Sequence, residues 1–331
     1  MRATATPPAF SVVIPTRDRA HLIGETLDAV LGQSLPPRDV IVVDDGSDDG
    51  TAEMLEGYRP WVRCARIPPS GVCTARNVGA ALATGTHVAF CDSDDVWAPD
   101  HLRHHHRLHT AAPDIPLSFG NHRRLGEGEG AADKFAQAPD TFWDGWRAGP
   151  VDGTLRFDGA LYERLLAFQP IFPSALVVRR DVLWRLGGFD ERFNATVSED
   201  FEFMLRATQQ GPVAAVTPAL VGIRRHAGNL SARQSDCLIG EIAILEHALT
   251  HHDAARRCAA ALRTELLRRR VQAVHACFAA GRLDALAGVA ARLPASTGGR
   301  RLAVKLLIAR LPRPLARAAW RLLCGPSPEA P

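Results

Sequence analysis

Three acidic clusters hold most of the reactive groups in this sequence. Asp92-Ser93-Asp94-Asp95 follows a short apolar run. Carboxylates this close repel one another unless a cation sits among them. Hard oxygen ligands suit Mg2+ or Mn2+, which commonly take one or two carboxylates together with substrate phosphates. The same four residues also read as an Asp-rich turn in which Asp95 caps a helix. Asp44-Asp45-Gly46-Ser47-Asp48-Asp49 is a turn whose N-cap Ser47 or Asp48 can supply. It is equally a place where an aspartate accepts hydrogen bonds from a ribose or a base edge. Glu199-Asp200 reads as part of a helix, where neighbours do not share a face. One carboxylate can enter a cleft as a general base while the other holds local structure.

Basic groups complement these. Arg76-Asn77 follows Ala75 at the front of a helix, beside Gly71; a guanidinium and helix N-terminal amides together favour a diphosphate. Arg224-Arg225-His226 follows a late strand, and His226 is a candidate metal ligand or phosphate contact as well as an ordinary structural histidine. His104-His105-His106 lies on a helix, so its three rings face different ways and do not make a metal site. The 7 cysteines are scattered, odd in number and include no CxxC pair, which argues against a disulfide framework and a zinc knuckle and fits thiols in a reducing cytosol.

The elements that must position these groups alternate. Phe10–Ile14 and Val40–Val43 are apolar throughout and read as buried strands. Helices over His21–Leu31, Thr51–Glu56 and Val72–Ala83 and strands over Val62–Ile67 and Thr86–Phe90 complete the first hundred residues. Such a pattern predicts an α/β fold with a mostly parallel sheet covered on both faces. Ligands of these sheets bind outside the carboxyl ends of the strands. Pro15-Thr16-Arg17-Asp18, the Asp44 cluster and the Asp92 cluster all follow strands, so one rim should carry all three. Strands over Ser174–Val178, Val213–Val216 and Val221–Arg224 and a helix over Arg180–Leu186 follow. Past Ser235 strand signals vanish and apolar residues recur at helical spacing, which predicts an all-helical appendage over 235–331.

Val12-Val-Ile-Pro-Thr-Arg-Asp-Arg19, Val42-Val-Asp-Asp-Gly-Ser47, Ala75-Arg-Asn77, Phe90-Cys-Asp-Ser-Asp-Asp95, Gly187-Gly-Phe-Asp190 and Ser198-Glu-Asp200 occur in that order. Together they resemble family 2 of the inverting glycosyltransferases, which have the GT-A fold. The resemblance spans roughly Phe10 to Ser231 and implies a GT-A domain over 1–234, with a nucleotide-binding half (1–110) and an acceptor half (111–234) that is loop-rich at about 120–170. It implies metal-assisted transfer, by a single inverting displacement, of a sugar from a nucleotide diphosphate donor, UDP being expected, to an acceptor hydroxyl on a glycan, a lipid-linked molecule or a small molecule. In that reading Pro15, Thr16, Arg17, Asp44 and Asp45 contact the nucleotide, and Arg76 lies near base and diphosphate. Asp94 binds Mn2+ or Mg2+, Asp92 is shared between metal and donor, and His226 stands near the diphosphate. Asp200 is the catalytic base with Glu199 beside it. Many relatives read Thr-Tyr-Asn-Arg where this chain has Thr16-Arg17-Asp18-Arg19; arginine also stacks on a base. The aromatics Phe142, Trp143, Trp146, Phe157, Tyr162 and Phe168 are then either a small core or an acceptor lid whose rings stack on sugars.

The rival readings are a catalytically inactive sugar-nucleotide or glycan-binding module and a nucleotidyltransferase-like enzyme, although the lysine-containing glycine-rich loop of the latter is missing. No GxGxxG follows the first strand, which disfavours hydride transfer. With 46% hydrophobic and 23% charged residues the chain has an ordinary globular composition, and its net charge of +3 is too small to imply a nucleic-acid partner. The first residues carry no signal-peptide pattern and no apolar run reaches membrane-spanning length, so a cytoplasmic location is expected. From Gly299 to Pro328 there are basic residues and no acidic ones. After Pro314 an amphipathic segment sets Arg317 and Arg321 apart from Leu315, Ala318 and Leu322. It is either a helix packed on the appendage or a peripheral contact with the inner face of the plasma membrane.

Overall fold

The computed structural model describes residues 7–126, 132–159, 161–225, 234–294 and 296–324. Two compact units divide the chain: Met1–Ala195 with Glu199–His226, and Thr196–Ser198 with Ala227–Pro331.

In the first unit, the apolar run at the start forms β1 (Phe10–Thr16), buried along its whole length as a strand covered on both faces must be. Then come α1 (Ile23–Leu31), β2 (Asp39–Asp44), α2 (Thr51–Glu56), β3 (Arg63–Arg66), α3 (Val72–Leu82), β4 (His87–Phe90) and β5 (Val96–Trp97). After these lie α4 (His101–Ala111), β6 (Leu117–Arg124), β7 (Arg147–Ala148), β8 (Thr154–Phe157), α5 (Tyr162–Ala167) and β9 (Leu176–Arg179). The unit closes with α6 (Arg180–Arg185), α7 (Glu199–Ala207) and β10 (Val213–Ile223). The sheet runs β3-β2-β1-β4-β9-β6-β10-β8-β7, with β5 also paired to β10. The strands β3, β2, β1 and β4 are parallel. The intervening β9 is antiparallel to both β4 and β6, and β10 is parallel to β6. The carboxyl ends of β1, β2, β4, β6 and β10 therefore share one rim.

A core of Val12, Ile14, Val40, Val42, Ile23 and Leu27, among others, lies between this sheet and α1. On α3, Gly79 lets the helix approach closely: a Cβ there would lie 2.3 Å from a Val13 methyl. The fold class is α/β with flanking helices, as read from the sequence, but the sheet is mixed rather than mostly parallel, because β5, β7, β8 and β9 run antiparallel to their neighbours. Three local readings differ. The strand expected from Ser174 begins only at Leu176, because Pro173–Ala175 form a 3-10 turn. The first helix starts at Ile23 rather than His21, because Arg19 O accepts the amides of both Leu22 and Ile23 and residues 19–22 form a turn. The segments Val213–Val216 and Val221–Arg224 are one strand, β10, whose register slips between Val216 and Ala219 and again before Val221. Pro218 sits in that slip, and a proline in a central strand belongs at such an irregularity.

The aromatic stretch packs on itself. Trp146 stacks on Phe157 with centroids 5.2 Å apart, Phe142 meets Trp143 at 4.9 Å, and Phe119 of β6 meets Trp146 at 6.0 Å. Phe142, Phe157 and Tyr162 are buried, so these rings form a small core. Residues 127–130 of the Gly/Glu stretch lie outside the described residues.

The second unit is helical: α8 (Gln234–His251), α9 (Ala255–Ala279), α10 (Leu283–Ala290), α11 (Arg300–Ala309) and α12 (Arg313–Cys324). Ion pairs Arg269–Glu241 at 2.5 Å and Arg270–Glu246 at 2.7 Å join α9 to α8. Trp320 of α12 donates its indole N–H to Phe278 O at 2.6 Å and lies against Gly281. No described helix is long and apolar enough to cross a membrane.

Candidate active site

The rim where the parallel strands end is built from short loops that bind one another. Thr16 O accepts the Asp45 amide at 2.9 Å, which fixes the end of β2 beside the end of β1. Asp45 is buried, and its carboxylate accepts the amides of Ser70 (2.6 Å) and Gly71 (2.9 Å), immediately ahead of α3. Arg17 Nη1 stands 3.9 Å from the same carboxylate. Asp44 Oδ1 accepts the Ser47 amide at 2.8 Å, so Asp44 stabilises the turn, while Ser47 Oγ accepts the Asp18 amide at 2.9 Å. The Thr16 hydroxyl is buried with no hydrogen-bond partner among the described residues.

From α3, Arg76 reaches across the rim. It is 2% exposed. Its Nη2 donates to Asp92 at 2.9 Å and its Nη1 to Glu199 at 2.6 Å, and the guanidinium lies 5.2 Å from the centre of the Phe189 ring. Burial works against its charge, but Asp92 and Glu199 outweigh that and raise its pKa. Of its nitrogens, Nε has no acceptor among the described residues. Most of the guanidinium that sequence reasoning aimed at a diphosphate is thus engaged in joining the Asp92 loop to α7.

The neighbouring Asn77 carries out a second joining task. Its side-chain oxygen accepts the Phe189 amide and its amide group donates to Phe189 O, both at 2.8 Å. Gly188 has φ +72°, and a Cβ there would lie 2.4 Å from Asn77 Oδ1, so the Gly-Gly-Phe-Asp turn needs glycine for both reasons. Asn194 accepts the Thr74 amide at 3.2 Å and donates to Thr74 Oγ1 at 2.8 Å. These bonds hold the segment leading to α7 against the first turns of α3.

Asp200, on the first turn of α7, is pushed up to about 7, first by burial and then by the charge of Glu199, with Arg76 pulling the other way and Asp92 adding to the rise. Asp200, Glu199, Arg76 and Asp92 therefore share one electrostatic environment.

The Asp92 loop divides its carboxylates by task. Asp95 is buried and fixed, accepting from Ser174 Oγ at 2.5 Å and from the Arg224 amide at 3.0 Å. Its carboxyl is nonetheless raised well above the usual range, by burial first and then by Asp92 and Asp94. A buried carboxyl raised by two adjacent carboxylates marks an excess of negative field at the ends of β4 and β10. Hard oxygen donors in such a field fit a divalent cation, with Asp92 and Asp94, both only partly buried, as the side chains that would hold it. Asp95 already has two donors. His226 lies outside the described residues.

Sequence reasoning missed Ser174, which accepts the Asp92 amide at 2.9 Å while binding Asp95, and Trp97, whose indole donates to Ser174 O at 2.7 Å. It also missed Asn194. Isolated polar residues before a strand or after a turn carry no motif; only Pro173 beside Ser174 hinted at a fixed backbone there.

Residues 11–129 match the model of Glycosyl transferase family 2. The chain is 33% identical over 138 residues, 40% of its length and 54% of the relative's, to the putative teichuronic acid biosynthesis glycosyltransferase TuaG of Bacillus subtilis. It spans about half the length of the curated relatives it matches first. Among solved structures, S. aureus TarS 1-349 in complex with UDP superposes with a TM-score of 0.60 at 19% identity, over 96% of this chain and 90% of that one. The mannosyltransferase PcManGT from Pyrobaculum calidifontis, in complex with GDP-Man and Mn2+, superposes with a TM-score of 0.56 at 20% identity, over 97% and 88%.

Proposed function

The chain carries a family 2 glycosyltransferase domain of GT-A fold, and from that premise we propose that it transfers a sugar from a nucleotide diphosphate donor to an acceptor hydroxyl with inversion. The observation that carries the reading is the double ion pair of Arg76 with Asp92 and Glu199, which ties an acidic strand-end cluster to the helix that bears Asp200. We assign the transferase to residues 1–234 and treat 235–331 as a separate helical region. UDP is the proposed nucleotide; TarS was solved with it, whereas PcManGT was solved with a GDP-sugar. The proposed acceptors are glycan, lipid-linked or small-molecule hydroxyls, reached at the inner face of a membrane through the basic C-terminal segment.

In the proposed reaction Asp200 takes the proton of the acceptor hydroxyl as its oxygen attacks the anomeric carbon from the side opposite the diphosphate. The bond from that carbon to the diphosphate oxygen breaks as the new one forms, so the configuration inverts. A carboxylate with a pKa near 7 is a better proton acceptor than an ordinary aspartate and still largely ionised in mildly basic buffer. Glu199 is a positioning residue that holds Arg76. Pro15, Thr16, Arg17 and Asp45, with Asp44 supporting the turn, line the nucleotide. The Thr16 hydroxyl and Arg76 Nε are buried polar atoms for which a bound donor would supply partners. A divalent cation at Asp92 and Asp94, when bound, neutralises charge building on the leaving diphosphate.

The test is Asp200→Asn. Its transfer rate should fall about 10²–10⁴-fold while donor binding, read by thermal shift, is retained. Transfer at the wild-type rate would remove Asp200 as the base. Chelation with EDTA should abolish turnover, and full activity in chelator would remove the metal.

A further inference from the structure

Nine large apolar side chains are strongly exposed among the described residues, and five of them, Val304, Leu307, Leu315, Leu322 and Leu323, fall on α11 and α12. Their placement follows from how α12 is docked. Ala316 and Trp320 are its buried residues, with Trp320 anchored by its bond to Phe278 O, so the opposite side of the helix faces solvent. That side carries Leu315, Ala318 and Leu322 in one strip, Leu322 being 88% exposed, with Arg317 and Arg321 alongside. The preceding helix repeats the arrangement: Leu302 and Ile308 are buried, while Arg300, Val304 and Leu307 are exposed. Next to the arginine stripe, a cavity of about 290 Å3 opens between α12 and the start of α10, lined by Arg282, Asp284, Arg313 and Arg317 among others. Arg313 is paired with Asp284 at 2.8 Å. Arg300, Arg310, Arg317 and Arg321 have no carboxylate partner among the described residues.

We propose that the outer faces of α11 and α12 are a docking surface for a bilayer containing anionic phospholipid, with the cavity at Arg313 and Arg317 receiving a lipid phosphate and the Leu315–Leu322 strip entering the acyl boundary. This deepens the membrane-contact part of the reading above and does not depend on the transfer chemistry. Charge complementarity selects the occupant. Seven basic and no acidic residues lie between Gly299 and Pro328, so two copies of this face would set arginine against arginine. A nucleic acid would leave the leucine strip in water. An amphipathic helix with arginines beside an apolar strip is suited to lying in the interface rather than spanning it, and neither helix can cross. Each arginine at an anionic surface strengthens partitioning roughly fivefold and does so in a salt-dependent way.

The full-length chain should co-sediment with vesicles of phosphatidylcholine and 30% phosphatidylglycerol (roughly one anionic lipid in three), and much less with pure phosphatidylcholine or at about 0.5 M salt. Arg317→Gln/Arg321→Gln should weaken binding on the order of 20-fold, and Leu315→Ser/Leu322→Ser should weaken it at every salt concentration. Both variants alter exposed side chains, so circular dichroism and donor turnover in vesicle-free buffer should match the wild type. Loss of turnover in all three proteins would count against the transferase reading alone. The membrane proposal is overturned if the wild type ignores anionic vesicles, if both variants bind as it does, or if millimolar inorganic phosphate alone displaces the protein completely. It is also overturned if light scattering shows a dimer that Leu315→Ser/Leu322→Ser dissolves, which would make the face a contact between copies.

Discussion

Arg76 is the residue on which the rim depends most. With Arg76→Gln, Asp92 and Glu199 would lose their shared counterion in a buried position. Breaking such a pair costs about 3–5 kcal/mol, so a clear drop in the urea midpoint is expected, and an unchanged midpoint would show that water relieves the two carboxylates. Asp200 offers a finer measurement. Its pKa is raised to about 7, so as a base it gains activity as pH rises through that value, and transfer under saturating substrates should show an acid limb there. The charge of Glu199 is among the causes of the rise. Glu199→Gln removes a negative charge near Asp200 and should move that limb to lower pH, while Glu199→Asp should leave it closer to the wild-type position. A limb that stays in place in Glu199→Gln would separate the two groups.

At the scale of single elements, α4 carries an unusual load. His101, His105 and His109 are buried one turn apart, with His87 of β4 against His109 at 4.4 Å, and Ser118 Oγ bonds both His105 and His109 at 2.7 and 2.8 Å. Burial first of all pushes His87 down to about 4 and His101 to about 3, and holds His105 and His109 well below their usual value. Below about pH 6.5 the unfolded chain takes up protons that these four rings refuse when folded, so the stability these rings contribute is complete above that pH and is lost as pH falls toward 4; Asp200 and Asp95, whose pKa values are raised, contribute with the opposite sign. Each ring contributes a slope of about 1.4 kcal/mol per pH unit. Melting temperature should therefore fall between pH 6.5 and 4, and His101→Phe should flatten the slope; a flat profile in the wild type would mean that the folded chain takes up protons over this range as readily as the unfolded one. The sequence showed that His104-His105-His106 do not share a face. It did not show that the buried set recurs every fourth residue, with His87 joining from a strand. The same limit governs the rest. β1 and α2 were legible because an unbroken apolar run or a compact helical stretch is a local property. The partners of Arg76 lie 16 and 123 residues away, and no local pattern encodes such a pairing. The aromatic stretch left core and lid open because both use the same rings, and only their mutual contacts distinguish them. Ser174 and Asn194 stand alone in sequence and acquire meaning only beside Asp95 and Thr74.

For the molecule as a whole, binding should be visible as stability. The unfolded chain has no site for a nucleotide sugar, so donor with Mn2+ at 100 times its dissociation constant should stabilise the folded protein by about 2.7 kcal/mol, raising its melting temperature, and chelator should reverse the rise. A screen of UDP- and GDP-sugars by this readout would identify the nucleotide; no shift with any of them would contradict a sugar-nucleotide site. The sheet also has a history set by its strand order. During synthesis β3, β2, β1 and β4 are complete once residue 90 has emerged, yet the strand that covers the free edge of β4 is β9, beginning at residue 176. At ordinary translation speeds that edge waits roughly 5–15 s with its backbone amides and carbonyls unpaired, as an open template for any other extended chain. A nascent chain stalled between these two points is therefore the form in which this protein is most exposed to aggregation and most in need of a chaperone.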